Sequence, residues 1–183
     1  TKNDEKMEVQ HLVRNVRRSL LNEKTLMDLH KKAILHWQQG ANSDEEKVAL
    51  LYHRVAAEDE NLKFHFEREI EALLPTQSAA ISVVLQEALN IHQDDVDLHY
   101  MAAHVAIQRG ESEHAEKHLQ NLMDDSRGAE IALAISLQKG RISEAEELLR
   151  DGLELAEPEQ KTRLAIAAAS RCLDDRIDTV HNP

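Results

Sequence analysis

Aromatic and turn-forming residues are scarce in this chain of 183 residues. Only 3% of the residues are aromatic, and there are 5 glycines and 3 prolines. Few segments therefore favour a β-strand, whereas the abundant alanine, leucine, glutamate and lysine favour a helix. Glycines this few and this scattered cannot form a glycine-rich phosphate-binding loop. The composition predicts an all-α protein.

Cysteine and long apolar runs are also lacking. The single cysteine, Cys172, excludes an internal disulfide bond. We expect it to be a small apolar residue of the last helix, with a reactive thiol as the alternative. No apolar run reaches the roughly 18–20 residues that a membrane-spanning helix needs, and no secretory signal opens the sequence. Because residue 1 is Thr, we expect a processed protein or part of a longer one, either cytoplasmic or the soluble domain of a membrane-tethered protein.

Basic residues are fewer than acidic residues over most of the chain, and the net charge is −12. Residues 1–36 carry 8 basic and 5 acidic groups, and the remainder carries 14 basic and 29 acidic groups. An acidic body repels the phosphates of nucleic acids and anionic membranes, so neither is an expected partner. We expect a basic or apolar protein partner instead. The basic residues near the start either contact an acidic partner or form a solvated helix face.

What the chain does contain is an internal period. Gly40, Thr76, Gly110 and Gly140 are separated by 36, 34 and 30 residues. Five positions after the last three anchors stand small or aliphatic residues, and a helical segment follows each anchor. Self-similarity at a period near 34 residues is typical of stacked helical hairpins. We therefore expect short connections between antiparallel helices.

Helical periodicity and end signals divide the sequence into ten predicted helices. Ser43 with Glu46, and Ser143 with Glu146, have the spacing of capping boxes, and Gly40 stands where a helix C-cap would. Pro75 is expected to end one helix because it disfavours helix in the residue before it. The predicted helices cover residues 4–22, 25–39, 43–57, 61–74, 78–91, 95–109, 112–123, 127–139, 143–155 and 158–173.

The segments LHWQQG at 35–40 and DLHYMAAHVAIQRGESEHAEKHL at 97–119 resemble tetratricopeptide repeats. In that family the first helix closes on a basic or amide residue and a glycine, and a small residue opens the contact face of the second helix. The matching residues are Ala102, Ala103, Gly110 and Ala115, and Ala132, Gly140 and Ala145. The resemblance implies a right-handed superhelical solenoid of antiparallel helix pairs. An N-terminal flanking helix would occupy 1–24 and the repeats 25–157, at about 25–60, 61–94, 95–126 and 127–157. A C-terminal capping helix and tail would occupy 158–183. Thr76 departs from the turn glycine of the family, and most of its large aromatic residues are missing.

The resemblance also implies that the first helix of each repeat lines a concave, partner-binding surface. Three of the five aromatic residues, Trp37, Phe66 and Tyr100, fall on the face that this register selects. Aromatic residues often anchor interfaces, although packing between adjacent repeats is an equally open alternative. The partner-binding residues that we predict are Met27, His30, Trp37, Gln38, Lys63, Phe66, Tyr100, His104, Gln108, Arg127, Glu130 and Gln138. Apolar residues on the same face are Ile34, Ile70, Leu73, Ile107, Ala134 and Leu137, with Asp97 beside them.

One subset of the family binds the terminal carboxylate of a peptide with cationic and amide side chains. The matching positions here hold Ala103, Ile107, Leu133 and Leu137. Apolar side chains cannot neutralise a carboxylate, so an apolar peptide is the better expectation. The N-terminal helix could itself occupy part of that surface.

A metal site or an enzymatic active site has less support in the sequence. His114 and His118 lie four residues apart, which suits a zinc ion, and His104 on the preceding helix could approach them. The alternative is that these are surface histidines, and we expect no metal and no cofactor. No turn presents a nucleophile, so we do not expect an enzyme.

Besides a metal-binding role of His104, His114 and His118, there are two functional hypotheses. The first is a protein–protein interaction module that binds a peptide or partner protein. The second is a structural spacer or oligomerisation domain, a homodimer for instance, whose flanking helices pair with another copy.

Overall fold

The structure is a computed structural model that describes residues 21–122, 125, 127–155, 158 and 161–169. Contacts between backbone positions divide the chain into two compact units, Thr1–Phe66 and Glu67–Pro183, which are called the N-terminal unit and the C-terminal unit below. All regular secondary structure in the described residues is helical. The predicted all-α class is confirmed, whereas the predicted helix over 4–22 lies almost wholly outside the described residues.

Two helices form the described part of the N-terminal unit up to residue 56. Helix α1 covers Glu23–Trp37, and α2 covers Asp44–Ala56. The Asn22 side chain caps α1 by accepting a bond from the backbone N–H of Thr25 at 2.8 Å. Ser43 and Glu46 form the predicted capping box at the start of α2, each side chain accepting from the backbone of the other. The two helices pack against each other.

Helix α3 covers Leu62–Ile91 and contains Pro75. The sequence predicts that Pro75 ends a helix, but the break comes two residues later, at Gln77, with φ −129° and ψ 19°. The fixed φ of proline is helical, so the helix continues through Pro75, but proline has no N–H to donate to the carbonyl four residues earlier, and the helix bends just after it. The two predicted helices, 61–74 and 78–91, are thus the two arms of one kinked helix.

The rest of the C-terminal unit continues with shorter helices. They are α4 at Val96–Gln108, α5 at Ser112–Leu119, a 3₁₀ turn at Gln120–Leu122, α6 at Gly128–Gln138, α7 at Ile142–Leu155 and α8 at 161–169. Asp95 caps α4 by accepting from the backbone N–H groups of Asp97 and Leu98. Helix α4 packs on α5 and α6, α5 packs on α6, and α6 packs on α7.

The turn glycines differ in conformation. Gly110 and Gly140 have φ of 76° and 69°, a left-handed conformation that costs other residues about 1–2 kcal/mol. Gly40 has no positive φ and stands two residues after Gln38, which is the C-cap of α1, so the prediction that Gly40 ends this helix as a C-cap is wrong. Helix α7 also begins earlier than predicted, at Ile142, which places Ser143 inside the helix and not before it.

The core of the C-terminal unit consists of small and aliphatic side chains. One cluster joins α4, α5, the 3₁₀ turn and α6, and a second joins α6, α7 and α8. Fully burying a leucine or isoleucine contributes roughly 1.5–3 kcal/mol, so these clusters hold the helices in place. Their buried members are Ala103, Ala106, Ala115, Leu122, Ile131 and Ile135 in the first, and Leu133, Ala145 and Leu164 in the second.

None of the helices in the described residues is both long enough and apolar enough to span a membrane.

Candidate functional site

A cavity of about 290 Å³ lies within the C-terminal unit. Helix α3 contributes one wall with three residues at helical spacing, and α4 contributes another with three more. Residue 127, just before α6, and residue 163 of α8 complete the lining. The lining residues are Glu67, Ile70, Glu71, Tyr100, Met101, His104, Arg127 and Arg163.

Tyr100 is the aromatic residue of the cavity. Its ring lies beneath the guanidinium of Arg127, whose Cζ is 4.7 Å from the ring centroid, a cation–π contact. Its hydroxyl faces the carboxylate of Glu130, with oxygen–oxygen distances of 3.4 and 3.5 Å. Burial, followed by the negative charge of Glu130, raises the pKa of the Tyr100 phenol. The hydroxyl is therefore a neutral donor at physiological pH.

Arg127 is held by two carboxylates. Its Nη2 donates to Asp97 at 2.8 Å, and its Nε and Nη2 donate to the two oxygens of Asp125 at 2.8 and 2.9 Å. The hydrogen bonds to Asp125 raise the pKa of Arg127 further above its ordinary value, and the same bonds lower the pKa of Asp125. Two-point contact of this kind fixes a guanidinium in direction as well as in charge. The Arg127 side chain is thus held in a fixed position in the cavity lining, and its positive charge is compensated by Asp97 and Asp125.

Gly128 explains how Arg127 reaches this position. A Cβ atom added to Gly128 would lie 2.4 Å from the backbone oxygen of Leu122. A side chain is therefore excluded where the start of α6 passes the 3₁₀ turn. The close approach places residue 127 beside α4, within reach of Asp97.

Two carboxylates of α3 and one histidine of α4 contribute the more open groups of the lining. His104 Nε2 is 3.5 Å from the Glu71 carboxylate, whose side chain is 78% exposed. The His104 ring is tilted by 27° from that of Tyr100, at a centroid distance of 6.4 Å. Glu67 is exposed and stands one helical turn before Glu71. This part of the cavity is therefore open to solvent and negatively charged.

The predicted partner-binding residues of the C-terminal unit fall into two groups. Tyr100, His104 and Arg127 line the cavity, and Glu130 contacts Tyr100. Gln108 is exposed outside it. Gln138 donates from its Nε2 to the backbone oxygen of Ile107 at 3.0 Å, so its amide joins α6 to α4 within the fold.

The predicted residues of the N-terminal unit do not line this cavity. Met27, His30 and Trp37 are half-buried, whereas Gln38 and Lys63 are exposed. Phe66 has no exposed surface. A side chain buried to that extent fills space inside the protein, so Phe66 belongs to the packing alternative and not to a binding face. Ile70 and Leu73, on the same predicted face, are buried too.

The histidines are arranged differently from the zinc hypothesis. His118 faces His99, with 3.0 Å between their Nδ1 atoms, and does not pair with His104. The exposed His114 contacts Glu111 at 3.3 Å. The described part of the chain brings no three potential metal ligands together. The predicted approach of His104 to His118 is therefore wrong, because His104 turns towards Glu71 on α3.

Sequence reasoning missed part of the cavity lining. The repeat register selected Ile70. Glu67 lies three residues before it and Glu71 one residue after it, so a wider choice of positions on this helix face would have included both. Arg163 lies in the segment assigned to a capping helix, and no repeat pattern extends to it. Met101 follows Tyr100 directly and is buried.

Comparisons of the chain with protein-family models, with curated proteins and with solved structures find no match. The function therefore has to be inferred from the cavity and its surroundings.

Proposed function

We propose that this chain is a protein–protein interaction module, a tetratricopeptide-like array of helical hairpins that binds a peptide or partner protein. The cavity beside Tyr100 carries the proposal. It joins a partly exposed aromatic ring to open polar groups, which is the composition of residues that anchor interfaces. Its volume is at the lower limit for small-molecule sites and suits one side chain of a partner.

The contacts between helices support a repeating arrangement in the C-terminal unit. Each of α4 and α6 is followed by a turn with a left-handed glycine and by a second helix that packs on it. Five residues after the anchors stand Ile81, Ala115 and Ala145, which have at most 2% of their surface exposed. A buried residue at the same point of successive hairpins is expected when the hairpins stack as a solenoid.

The polar groups of the cavity favour binding over catalysis. Arg127 is paired with carboxylates, and the Tyr100 phenol has a raised pKa, so neither is prepared to transfer a proton near neutral pH. We therefore propose a binding role and no enzymatic one. A terminal-carboxylate clamp has no support either, because Ala103 and Leu133 are buried core residues.

The proposal is tested with a partner obtained by affinity capture on the full chain and then purified. Its affinity for the wild-type chain is compared with that for Tyr100→Ala by calorimetry. Val83→Ala is the matched control, because Val83 is 63% exposed on α3 and does not line the cavity. We expect Tyr100→Ala to raise Kd by about 10–100-fold, as loss of an aromatic anchor does, and Val83→Ala to leave it unchanged.

Tyr100 also packs against the core, so its variant needs a folding control. Circular dichroism and a thermal melt must show that Tyr100→Ala remains folded. Where it does not, Tyr100→Leu keeps most of the apolar volume while removing the ring and the hydroxyl. A folded variant that binds the partner as tightly as the wild type contradicts the proposal.

Self-association is a second candidate, favoured by apolar exposure near the end of the described chain. Ile142 and Leu153 of α7 and Ile166 of α8 are 55%, 39% and 60% exposed. Light scattering over a range of concentrations tests it. A constant monomer mass at high concentration rejects an oligomerisation role, whereas a dimer that Ile166→Ser dissociates supports it.

A further inference from the structure

The charges around the cavity do not balance. Two carboxylates and two guanidiniums line it, but one guanidinium is already bound to two further carboxylates, and the tyrosine hydroxyl faces another. Among the described residues, five carboxylates therefore line the cavity or contact its lining residues, compared with two guanidiniums. The carboxylates are Glu67, Glu71, Asp97, Asp125 and Glu130, and the guanidiniums are those of Arg127 and Arg163.

Two of these carboxylates remain accessible. The Glu71 side chain is 78% exposed and has one long contact, 3.5 Å to His104. Glu67 is exposed four residues earlier on the same helix, and side chains at that spacing are neighbours. Like charges in that position repel each other weakly, and a cation between them would relieve the repulsion.

The remaining wall of the cavity is apolar. Ile70 and Met101, which are largely buried, line it together with Tyr100, whose ring is partly exposed. Lysine and arginine combine a flexible apolar stem with a charged end, and in proteins they lay the stem along apolar surface while the charge stays near water. The cavity of about 290 Å³ offers an apolar wall for the stem of such a side chain and exposed carboxylates for its charged end.

We infer that the cavity receives a lysine or arginine side chain of the partner protein, with the cation between Glu67 and Glu71 and the stem against Tyr100. This inference rests on the proposed function and specifies its partner. The net charge of −12 acts in the same direction, because it speeds the encounter with a basic surface.

The test uses a display library of random 12-residue peptides selected on the full chain at low salt. The recovered peptides are sorted by whether they still bind Tyr100→Ala, and the Tyr100-dependent set is sequenced. The same library is selected on the double variant Glu67→Gln, Glu71→Gln, which keeps the shape of both side chains. Glu87→Gln with Glu113→Gln is the matched control, since both residues are exposed, carry the same charge and lie outside the cavity.

The expected result is that one position of the Tyr100-dependent peptides is enriched in arginine or lysine on the wild type and on the control variant, but not on the cavity variant. In a synthetic peptide, replacing that residue with norleucine should weaken binding to the wild type at least about tenfold and to the cavity variant less than about threefold. Raising the salt concentration should weaken only the cationic peptide.

Failure of the inference and failure of the proposed function have different results. Tyr100-dependent peptides without a basic position, or with one that the cavity variant still selects, overturn the inference and leave the proposed function standing. Recovery of no Tyr100-dependent peptide overturns both.

Discussion

The hairpin α1–α2 of the N-terminal unit and the hairpin α4–α5 of the C-terminal unit each contain the same kind of histidine contact. They differ in how much of the first helix is buried. In each, a histidine of the first helix meets a histidine of the second. The Nδ1 atoms are 2.8 Å apart for His30 and His53, and 3.0 Å apart for His99 and His118. Yet α1 has no buried residue, whereas α4 has seven. They are Leu98, His99, Met101, Ala102, Ala103, Val105 and Ala106.

The shared contact imposes one protonation pattern on both hairpins. An Nδ1–Nδ1 hydrogen bond needs one nitrogen to donate and the other to accept, so at least one ring of each pair is neutral. In the C-terminal unit the Nε2 of His99 lies 2.8 Å from the backbone oxygen of Gln93, to which only a protonated nitrogen can donate. For a neutral His99 its Nδ1 is then the acceptor, and His118 is the donor.

The difference in core shows where a binding surface can be rigid. A helix with half its residues buried cannot rotate without losing apolar contacts, so Tyr100 and His104 keep their positions on α4. Helix α1 is amphipathic but only half-covered, so His30 and Trp37 are held less firmly.

Removing a leucine from each first helix should give very different losses. Leu98 is 1% exposed and Leu29 is 47% exposed. Leu98→Ala creates a cavity and should lower the free energy of unfolding by about 2–5 kcal/mol, whereas Leu29→Ala should lower it by less than about 1 kcal/mol. Urea denaturation measures both. Equal losses would mean that the two hairpins do not differ in core as described.

The turn glycines offer a second contrast. Gly110→Ala forces a side chain into a left-handed conformation and should cost about 1–2 kcal/mol of unfolding free energy. Gly40→Ala meets no atom within 4 Å and no positive φ, so it should be neutral or stabilise by up to about 1 kcal/mol. A thermal melt of each variant compares them. A large loss for Gly40→Ala would show that its turn is constrained like that of Gly110.

Acid should weaken the His99–His118 contact. Burial, followed by the neighbouring His99, His114 and Lys117, lowers the pKa of His118 to about 4. The unfolded chain has an ordinary histidine pKa near 6.5, so it binds a proton first as the pH falls. The contribution of His118 to the free energy of unfolding is therefore complete above about pH 6.5 and is lost progressively as the pH falls to about 4. Because the ring is only partly buried, we expect a loss of about 1 kcal/mol.

The measurement is the free energy of unfolding at pH 7.5 and pH 4.5 for the wild type, His118→Gln and His114→Gln. His118→Gln should remove part of the loss, and His114→Gln, at an exposed position, should remove little. A loss that is unchanged in His118→Gln would place the acid sensitivity elsewhere.

The helix caps should show the smallest contrast. Asp95 accepts from two backbone N–H groups of α4, and Asn22 accepts from one of α1. Asp95→Ala should cost about 1 kcal/mol and Asn22→Ala about 0.5 kcal/mol. Native-state hydrogen exchange at the first turn of each helix follows the effect locally. A greater loss of protection at α1 than at α4 would reverse the comparison.

Local signals in the sequence predicted much of this fold. The capping box of Ser43 and Glu46 and the break between two helices at Gly110 each depend on a few neighbouring residues, and both occur as expected, whereas Ser143 lies inside α7 and not before it. The anchors also located three residues that are fully buried or nearly so. These features are encoded by short spacings and backbone chemistry.

Features that depend on tertiary contacts were not predictable in the same way. Phe66 looks like an anchor in a helical register, but only packing decides that it is buried. The spacing of His118 from His114 suits a zinc ion, but the residue that His118 contacts is His99 on another helix. Arg163 reaches the cavity from a segment with no repeat signal. Four residues of the predicted face therefore line the cavity, namely Ile70, Tyr100, His104 and Arg127, whereas the sequence did not point to Glu67, Glu71 or Arg163.

An NMR titration of the isotope-labelled chain with an arginine-containing peptide recovered by the selection tests most directly whether the cavity binds a cation. We expect the largest amide shifts around Glu71, Tyr100 and His104, and we expect them to shrink at least about tenfold at equal peptide concentration when norleucine replaces the arginine. Shifts concentrated on α1 and α2, or shifts of equal size with either peptide, would contradict cation binding by the cavity.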